Sequence, residues 1–363
     1  MILFLDANAH LPLNSKALEA FAHFNNSLGG HGHTMSSSVP GRIAAAALEE
    51  SRAKIAKMIG AARPSQIFFT STCTQACEWG LEILAAQKFK QIYTSTIEHK
   101  SVAEKANTLF GNNDLLVSKE GMVNCTFTPQ DGTAFVCIHV HNELGTIQPI
   151  EDIKVPFFSD MSQSLGKIPI NVSSIPNLKI ATFGAHKFGG PANVGILYVQ
   201  EEKWWQPFGL GSRYHHDRPG TPDVGSVIAT AVALEEALKT LHKRYERALA
   251  FKSIFEGSLA QVGIEIISEK GTRVPYTTFI KVGKQMAPYV MTQMGAEGIY
   301  VGLGSACGSV YSNSPVMTAL GQGGKSQDYM RISQWGDYGR NEGLLAAKSV
   351  IKFCPKLEKI IID

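Results

Sequence analysis

The chain has 363 residues, and its 34 lysines and arginines nearly balance its 31 aspartates and glutamates. A chain of this length exceeds what one hydrophobic core usually serves, so we expect a large domain with a smaller one. The basic residues are scattered rather than gathered into a stripe, which argues against nucleic acid as a partner. No apolar run is long enough to cross a bilayer and the opening segment lacks the basic residues of a targeting peptide, so we expect a cytoplasmic protein without membrane contact.

The cysteines form no Cys-x-x-Cys pair. They are Cys73, Cys77, Cys125, Cys137, Cys307 and Cys354. Such sparse use in a long chain indicates reduced thiols. Because no second pair stands at zinc-binding spacing, we predict no metal site, and we interpret Cys73 and Cys77 as small core residues.

Short apolar, β-branched segments recur along the first 200 residues and predict strands. They occupy residues 66–70, 91–95, 133–140, 155–159, 178–183 and 195–199. Amphipathic segments separate several of these strands, and another helical pattern, ahead of the first strand, begins at Gly41 and ends at Gly60, a residue type that often terminates helices. The alternation predicts an α/β fold with a mostly parallel sheet covered by helices, and such sheets bind ligands at the carboxyl ends of their strands.

A change of character follows the long helical pattern of residues 224–259. Strands are predicted at residues 264–268 and 276–282, and helix and strand alternate again toward the C-terminus. We therefore expect a second, smaller α+β domain, with its boundary near residue 245. There is no repeat or Pro/Ser-rich linker, so the two parts are expected to pack closely.

A lysine stands in the glycine-rich segment GAHKFGGP, residues 184–191, between two predicted strands. Glycines allow a ligand to approach the backbone closely. A partly desolvated lysine such as Lys187 can lose its proton and act as a Schiff-base nucleophile or general base. Taken alone, however, this segment favours an ordinary surface lysine in a loop.

Two other segments suit a ligand with a phosphate and a flat ring. Asp160 ends a predicted strand, where a carboxylate can pair with the protonated ring nitrogen of pyridoxal phosphate. Residues 71–74, with the sequence STCT, lie between a strand and a predicted helix, where hydroxyls, N–H groups and the helix dipole can hold a phosphate. A strand-end aspartate and a simple N-cap are the competing interpretations.

Polar residues also follow other predicted strands. His99 can stack on a flat ring or transfer a proton, and Asn142 and Gln163 can form hydrogen bonds with a ring oxygen. A structural histidine and turn-forming amides are the alternatives. Arg331 lies in an apolar run and is costly to bury without a carboxylate, which either a substrate or an internal acid would provide.

Cys307 lies among small residues in the segment GLGSACGS, residues 302–309, which makes a poor core element. We expect its thiol to be accessible, and near positive charge an accessible thiol becomes a nucleophilic thiolate. Mobility would let it collect a group at one place and deliver it at another. Cys125, Cys137 and Cys354 have more apolar neighbours and are interpreted as packing.

In their order along nearly the whole chain, these segments resemble the group I cysteine desulfurases, which are fold-type I pyridoxal-phosphate enzymes. The most specific motifs are TIEH at 96–99, NELGTIQPI at 142–150, DMSQ at 160–163, AHKFGGP at 185–191 and SAC at 305–307. The resemblance implies a large domain, residues 14–245, with a mainly parallel seven-stranded sheet. It also implies a small α+β domain formed by residues 1–13 and 246–363.

The resemblance further implies a role for each site residue. Lys187 would bind pyridoxal 5'-phosphate as a Schiff base, His99 would stack on the ring and relay protons, and Cys307 would receive the substrate sulfur. Arg331 would bind the substrate carboxylate with help from Asn142. The cofactor contacts would come from Cys73, Thr74, His99, Asn142, Asp160, Gln163, His186 and Lys187, and from Thr221 of the other subunit of a homodimer.

The implied reaction converts L-cysteine to L-alanine, with the sulfur held on Cys307 as a persulfide until a sulfur-acceptor protein takes it. The alternatives are a selenocysteine lyase, another class V aminotransferase-like enzyme, and a non-catalytic sulfur-transfer scaffold. The scaffold is suggested by departures from the family pattern. Gly184 and Ala185 stand where the family has Ser and Gly, and His10 and His33 also replace family residues.

Overall fold

The computed structural model describes residues 2–126, 130–205, 221–284, 286–304 and 313–354. Its strands are β1 (Leu3–Leu5), β2 (Ile67–Thr70), β3 (Gln91–Ser95), β4 (Asp114–Leu115), β5 (Thr133–Val136), β6 (Phe157–Asp160), β7 (Leu178–Gly184), β8 (Gly195–Val199), β9 (Thr277–Lys281), β10 (Ile299–Leu303) and β11 (Tyr329–Ser333). Its helices are α1 (Ser15–Asn25), α2 (Val39–Ile59), α3 (Cys73–Ala86), α4 (Lys100–Phe110), α5 (Glu202–Trp205), α6 (Val224–Lys239), α7 (Leu241–Ala260), α8 (Ala287–Ala296), α9 (Pro315–Ala319) and α10 (Arg340–Phe353). Cys307 lies outside the described residues. None of the described helices is both long and apolar enough to span a membrane.

The larger sheet has the strand order β2-β8-β7-β6-β5-β3-β4. Its pairs are parallel except where β8 runs antiparallel to β2 and β7. Apolar side chains cover both faces of the sheet, as two neighbouring residues of β6 illustrate. Phe157 and Phe158 of β6 pack into different apolar clusters, because successive strand side chains point to opposite faces. The predicted fold class, a mainly parallel seven-stranded sheet in an α/β protein, is confirmed.

A smaller sheet has the order β1-β10-β11-β9 and packs against α7, α8 and α10. Its core joins side chains from both ends of the chain, including Leu5, Phe255 and Ile332. The N-terminal strand β1 pairs with β10 in parallel, so the chain's first residues complete a sheet made by its last third. The exact domain limits, 14–245 against 1–13 and 246–363, stay a prediction.

The pattern of residues 224–259 is two helices rather than one long one. α6 ends and α7 begins at Thr240, whose Oγ1 donates to the Glu236 carbonyl at 2.9 Å and accepts Arg244 Nε at 3.0 Å. A single non-helical residue barely displaces the 3.6-residue periodicity, so the apolar pattern continued through the break. The prediction of one helix was therefore wrong only at this residue.

Two predicted strands also differ from the structure. Residues 264–268 form only an isolated bridge between Ile266 and Ile280, and Ser268 has a φ of 58°, which turns the chain away. β5 stops at Val136, although the N–H of His139 still donates to the Asp160 carbonyl at 3.0 Å. The irregular segment that follows β5 leads the chain toward the candidate site.

Candidate active site

A cavity of about 270 Å³ opens where the parallel strands of the large sheet end. The predicted residues that line it are Cys73, Thr74, His99, Asn142, Asp160, Gln163, His186, Lys187 and Arg331. The loops after β2, β3, β5, β6 and β7 bring most of them together, and β11 of the smaller sheet contributes Arg331. Thr221 is exposed and does not line this cavity.

Lys187 stands in a short 3-10 turn directly after β7. Its Nζ donates to two backbone carbonyls, that of Asn8 at 2.7 Å and that of Ala9 at 2.8 Å. Burial lowers the pKa of Lys187, and the charge of Arg331 lowers it further. A lowered pKa increases the fraction of neutral amine at neutral pH, which is the form that acts as nucleophile or base.

One end of the cavity is built to hold an anion. Thr72 caps α3 by accepting the N–H of Gln75 at 3.1 Å, which leaves the helix N-terminus at Cys73 and Thr74 facing the cavity. His186 lies beside it, and its buried Nδ1 has no hydrogen-bond partner in the described part of the chain. Exposed N–H groups of a helix N-terminus favour a phosphate.

Cys77 is fully buried, as its interpretation as a core residue predicts, whereas the same interpretation holds only in part for Cys73, which packs against the core without being buried in it. Cys73 is only partly buried and lines the cavity, with its Sγ 2.9 Å from Ser162 Oγ. At the first residue of α3 its side chain faces the cavity mouth, while Cys77, one turn later, faces the sheet.

Asp160, the last residue of β6, and Gln163, in the loop that follows, both line the cavity. Asp160 is buried, and its Oδ1 accepts the Ser162 N–H at 2.9 Å. Gln163 is engaged at both amide atoms, since Nε2 donates to the Asn8 carbonyl at 3.0 Å and Oε1 accepts from Lys167 Nζ. Its side chain is thus fixed by protein partners.

His99 is the N-cap of α4, and its Nδ1 accepts the backbone N–H of Ser101 at 3.3 Å. The neutral ring therefore carries its hydrogen on Nε2. Burial lowers the pKa of His99, although the nearby Asp160 charge opposes that shift. The ring is accordingly a neutral group that lines the cavity and can exchange a proton through Nε2.

Arg331 forms an ion pair with an internal acid, which is one of the two possibilities that the sequence left open. Its Nη2 lies 2.7 Å from Asp6 Oδ1, and its Nη1 donates to the Asn142 carbonyl at 3.3 Å. Its Nε is buried and has no hydrogen-bond partner among the described residues. Asp6 therefore neutralises the guanidinium without using all its donors, and a carboxylate can still bind.

Sequence reasoning missed Asn8 and Lys167, which both connect to the cavity residues. Asn8 lines the cavity, and Lys167 is buried behind Gln163. The only signal for Lys167 was its spacing of four residues from Gln163. Nothing in the local sequence indicated that Asn8, near the N-terminus, would reach this site.

Glu98 is a further buried acid, next to His99. Its Oε1 accepts the Ile138 N–H at 2.6 Å, and its Oε2 is buried without a partner among the described residues. Burial, together with the nearby Asp160 charge, raises the pKa of Glu98 to about 8 against the opposing effect of the Ile138 hydrogen bond. The folded protein therefore holds Glu98 largely protonated at neutral pH.

We expect Glu98→Gln to remove a pH dependence of stability. Because the folded pKa of about 8 exceeds the ordinary value of 4.5, the folded state binds more protons between these pH values. Wild-type stability should fall relative to the variant as pH rises through this window, by up to about 1 kcal/mol per pH unit. Urea unfolding of both proteins at pH 5 and pH 8 measures this, and parallel pH profiles would contradict it.

Comparison with known proteins assigns this chain to a family. The aminotransferase class-V model matches residues 3–343. The chain belongs to the aminotransferase class-V family. Cysteine desulfurase IscS of Dictyoglomus turgidum is 30% identical over 334 residues, 85% of this chain and 82% of that protein. Putative cysteine desulfurase IscS 1 of Bacillus subtilis is 29% identical, covering 88% and 89% of the two chains. A solved NifS-like protein, 26% identical, matches with a TM-score of 0.83 over 97% of this chain and 99% of its own.

These relatives confirm the resemblance to cysteine desulfurases within the class-V family. Two of the departures from the family pattern, Gly184 and His10, lie beside His186 at one end of the cavity. A Cβ at Gly184 would lie 3.2 Å from Cys73 Cβ and 3.2 Å from His186 Cε1, so a larger residue would be crowded there. The His10 ring stacks on His186, with centroids 5.6 Å apart and planes at 19°. This class-V chain thus combines a smaller residue at 184 with a second imidazole beside His186.

Proposed function

We propose that this chain is a pyridoxal-phosphate-dependent cysteine desulfurase. It converts L-cysteine to L-alanine and receives the sulfur on Cys307 as a persulfide. The observation that carries the proposal is the convergence of Lys187, Asp160, His99 and Arg331 on one cavity, in a chain whose relatives are cysteine desulfurases.

The cavity residues fit pyridoxal phosphate. The helix N-terminus at Cys73 and Thr74 and the unpartnered Nδ1 of His186 suit the phosphate, and the buried Asp160 suits the ring nitrogen. Lys187, with its lowered pKa, suits the aldehyde. When bound, this cofactor supplies a ring that withdraws electrons from the α-carbon of an amino acid.

The protein's own groups then have separate tasks. Arg331 holds the substrate carboxylate, and the Lys187 amine removes the α-proton and returns it. His99 offers a proton at Nε2. The Cys307 thiolate attacks the substrate sulfur, so an S–S bond forms while the Cβ–S bond breaks, and the carbon keeps the electron pair and takes a proton to give alanine.

A homodimer and a sulfur-acceptor protein belong to the same proposal. Thr221 is exposed and is not among the described residues that line the cavity, which suits a residue that serves a second copy. Three large apolar side chains, Leu28, Met35 and Val39, are about half exposed near the start of α2 and suit a subunit interface. Sedimentation of the full chain tests this: a monomer at micromolar concentration would count against the dimer.

The activity is tested by adding L-cysteine to the cofactor-loaded protein and measuring alanine together with the visible spectrum. Alanine formation with a cysteine-dependent spectral change is expected. Turnover of selenocysteine alone would instead indicate a selenocysteine lyase, and a protein that binds no cofactor would indicate a scaffold.

We expect Arg331→Lys to raise the half-saturating L-cysteine concentration roughly thirtyfold. The planar guanidinium can bind a carboxylate through two donors, whereas an ammonium acts as a point charge. Losing a charge-assisted bidentate pair costs on the order of 2 kcal/mol. Initial rates of alanine formation over a range of cysteine concentrations measure the effect.

Arg52→Lys is the matched control, because Arg52 is an equally buried arginine whose partners are Glu49 and the Ile67 carbonyl, away from the cavity. It should reduce stability while leaving cysteine saturation unchanged. If the half-saturating L-cysteine concentration of Arg331→Lys also equalled that of the wild type, the ion pair with Asp6 would account for Arg331 without a bound substrate.

A further inference from the structure

Lys167 is a buried lysine that is held by amide oxygens. Its side chain is 1% exposed, and its Nζ donates to Asn8 Oδ1 at 2.6 Å and to Gln163 Oε1. Within the described ranges, no carboxylate forms an ion pair with it. Burying an amine in this way costs free energy, and an apolar side chain of similar length would avoid the cost.

The two oxygens that accept hydrogen bonds from Lys167 Nζ belong to the side-chain amides of Asn8 and Gln163. Both residues are linked to the Asn8 backbone carbonyl, which Lys187 contacts. The Asn8 backbone carbonyl accepts Lys187 Nζ at 2.7 Å and Gln163 Nε2 at 3.0 Å. The Asn8 side chain is the first link from Lys167, and the Gln163 side chain is the second. Lys167 is thus connected by two routes to the Asn8 carbonyl, one of the two acceptors of Lys187.

Asn8 also ties this group to the smaller sheet. Its Nδ2 donates to the Asn142 carbonyl at 3.0 Å and to Thr277 Oγ1 at 2.8 Å, and its backbone N–H donates to Ser333 Oγ at 3.0 Å. With Oδ1 bound to Lys167, every polar atom of the Asn8 amide has a partner and its orientation is fixed.

We propose that Lys167 is a positioning residue that makes Lys187 reactive by fixing the amides of Asn8 and Gln163. The proposal rests on the function proposed above, in which Lys187 reacts with the cofactor aldehyde. Misplacing a reacting group by about 1 Å can slow a reaction up to a hundredfold, so a fixed Asn8 carbonyl has a kinetic consequence.

The chemistry of the amine is consistent with this arrangement. Burial lowers the pKa of Lys167 well below its ordinary value, and the charges of Lys187 and Arg331 lower it further. A neutral amine has two N–H donors, and the two amide oxygens use both. In that neutral form Lys167 satisfies both oxygens without adding a full charge beside Lys187.

The test uses Lys167→Met in the cofactor-free protein. After pyridoxal phosphate is added, the Lys187 amine adds to the aldehyde carbon and water leaves, and absorbance follows the rate. Pyridoxamine phosphate lacks the aldehyde, so its dissociation constant measures noncovalent binding alone. We expect the variant to capture the aldehyde about tenfold more slowly, while pyridoxamine phosphate binding stays within about twofold of the wild type.

Lys252→Met is the matched control. Lys252 is also a buried lysine, and its Nζ donates to the Val274 carbonyl at 2.9 Å. Neither Lys252 nor Val274 lines the cavity. This control should lose stability but capture the aldehyde at the wild-type rate. Wild-type capture by Lys167→Met, or equal slowing by both variants, would overturn the positioning role.

Asn8→Ala provides a second route should Lys167→Met fail to fold, because it removes one of the two acceptors of Lys167 and retains the Asn8 backbone carbonyl. Slowed capture is expected, and capture at the wild-type rate would overturn the proposal. Capture by the wild type without alanine formation would contradict the proposed function alone. No capture by the wild type would contradict both.

Discussion

Replacing Lys187 by alanine is expected to reduce alanine formation from L-cysteine at least about a thousandfold, since the variant lacks both the amine that binds the cofactor and the base that moves the α-proton. The lowered pKa of Lys187 and its place at the end of β7 support both tasks. The variant should still bind pyridoxal phosphate noncovalently, because the phosphate end of the cavity is intact. Alanine measured after fixed times, with bound cofactor measured by absorbance, separates the two effects.

Borohydride reduction of the wild type complements this variant. It should fix the cofactor on the peptide that contains Lys187. Lys167 is the competing buried amine, since it reaches the same Asn8 from the other side. Cofactor recovered on the Lys167 peptide, or near-normal alanine formation by Lys187→Ala, would contradict the assignment.

Replacing Cys307 by serine should nearly abolish alanine formation, because a hydroxyl cannot attack the substrate sulfur as a thiolate does. The cofactor half of the reaction precedes the thiol and depends on Lys187. Cys307→Ser should therefore bind pyridoxal phosphate and show wild-type spectral changes with L-cysteine. Stopped-flow absorbance and alanine analysis measure the two halves separately.

Cys354→Ser is the control for this variant, because Cys354 is partly buried against the core of the smaller sheet and does not line the cavity. It should form alanine at the wild-type rate. Cys73 is the other thiol at the cavity, so a persulfide found there, together with normal alanine formation by Cys307→Ser, would show that Cys307 is not the acceptor.

The large sheet could be predicted closely because its signals are local. β3 and β8 have the bounds that their apolar runs predict, and α2 ends before Gly60, which adopts a left-handed conformation with a φ of 75°. The rule that ligands bind at the carboxyl ends of parallel strands then placed His99 and Lys187 at one site.

What the sequence could not predict depends on distant partners. Arg331 pairs with Asp6, 325 positions away, and Lys187 bonds to Asn8, 179 positions away. Neither acceptor carries a local pattern that links it to its partner. The break at Thr240 was hidden for another reason, since one residue scarcely shifts a helical periodicity.

In the proposed function, this chain removes sulfur from L-cysteine and holds it on Cys307. The most direct measurement is a single turnover of the cofactor-loaded protein with L-cysteine in the absence of other thiols, followed by alanine analysis and mass spectrometry of the alkylated cysteine peptides. We predict about one alanine per active site and one added sulfur atom on the Cys307 peptide. Alanine without added sulfur on Cys307, or no alanine from a protein that has captured its cofactor, would contradict this account.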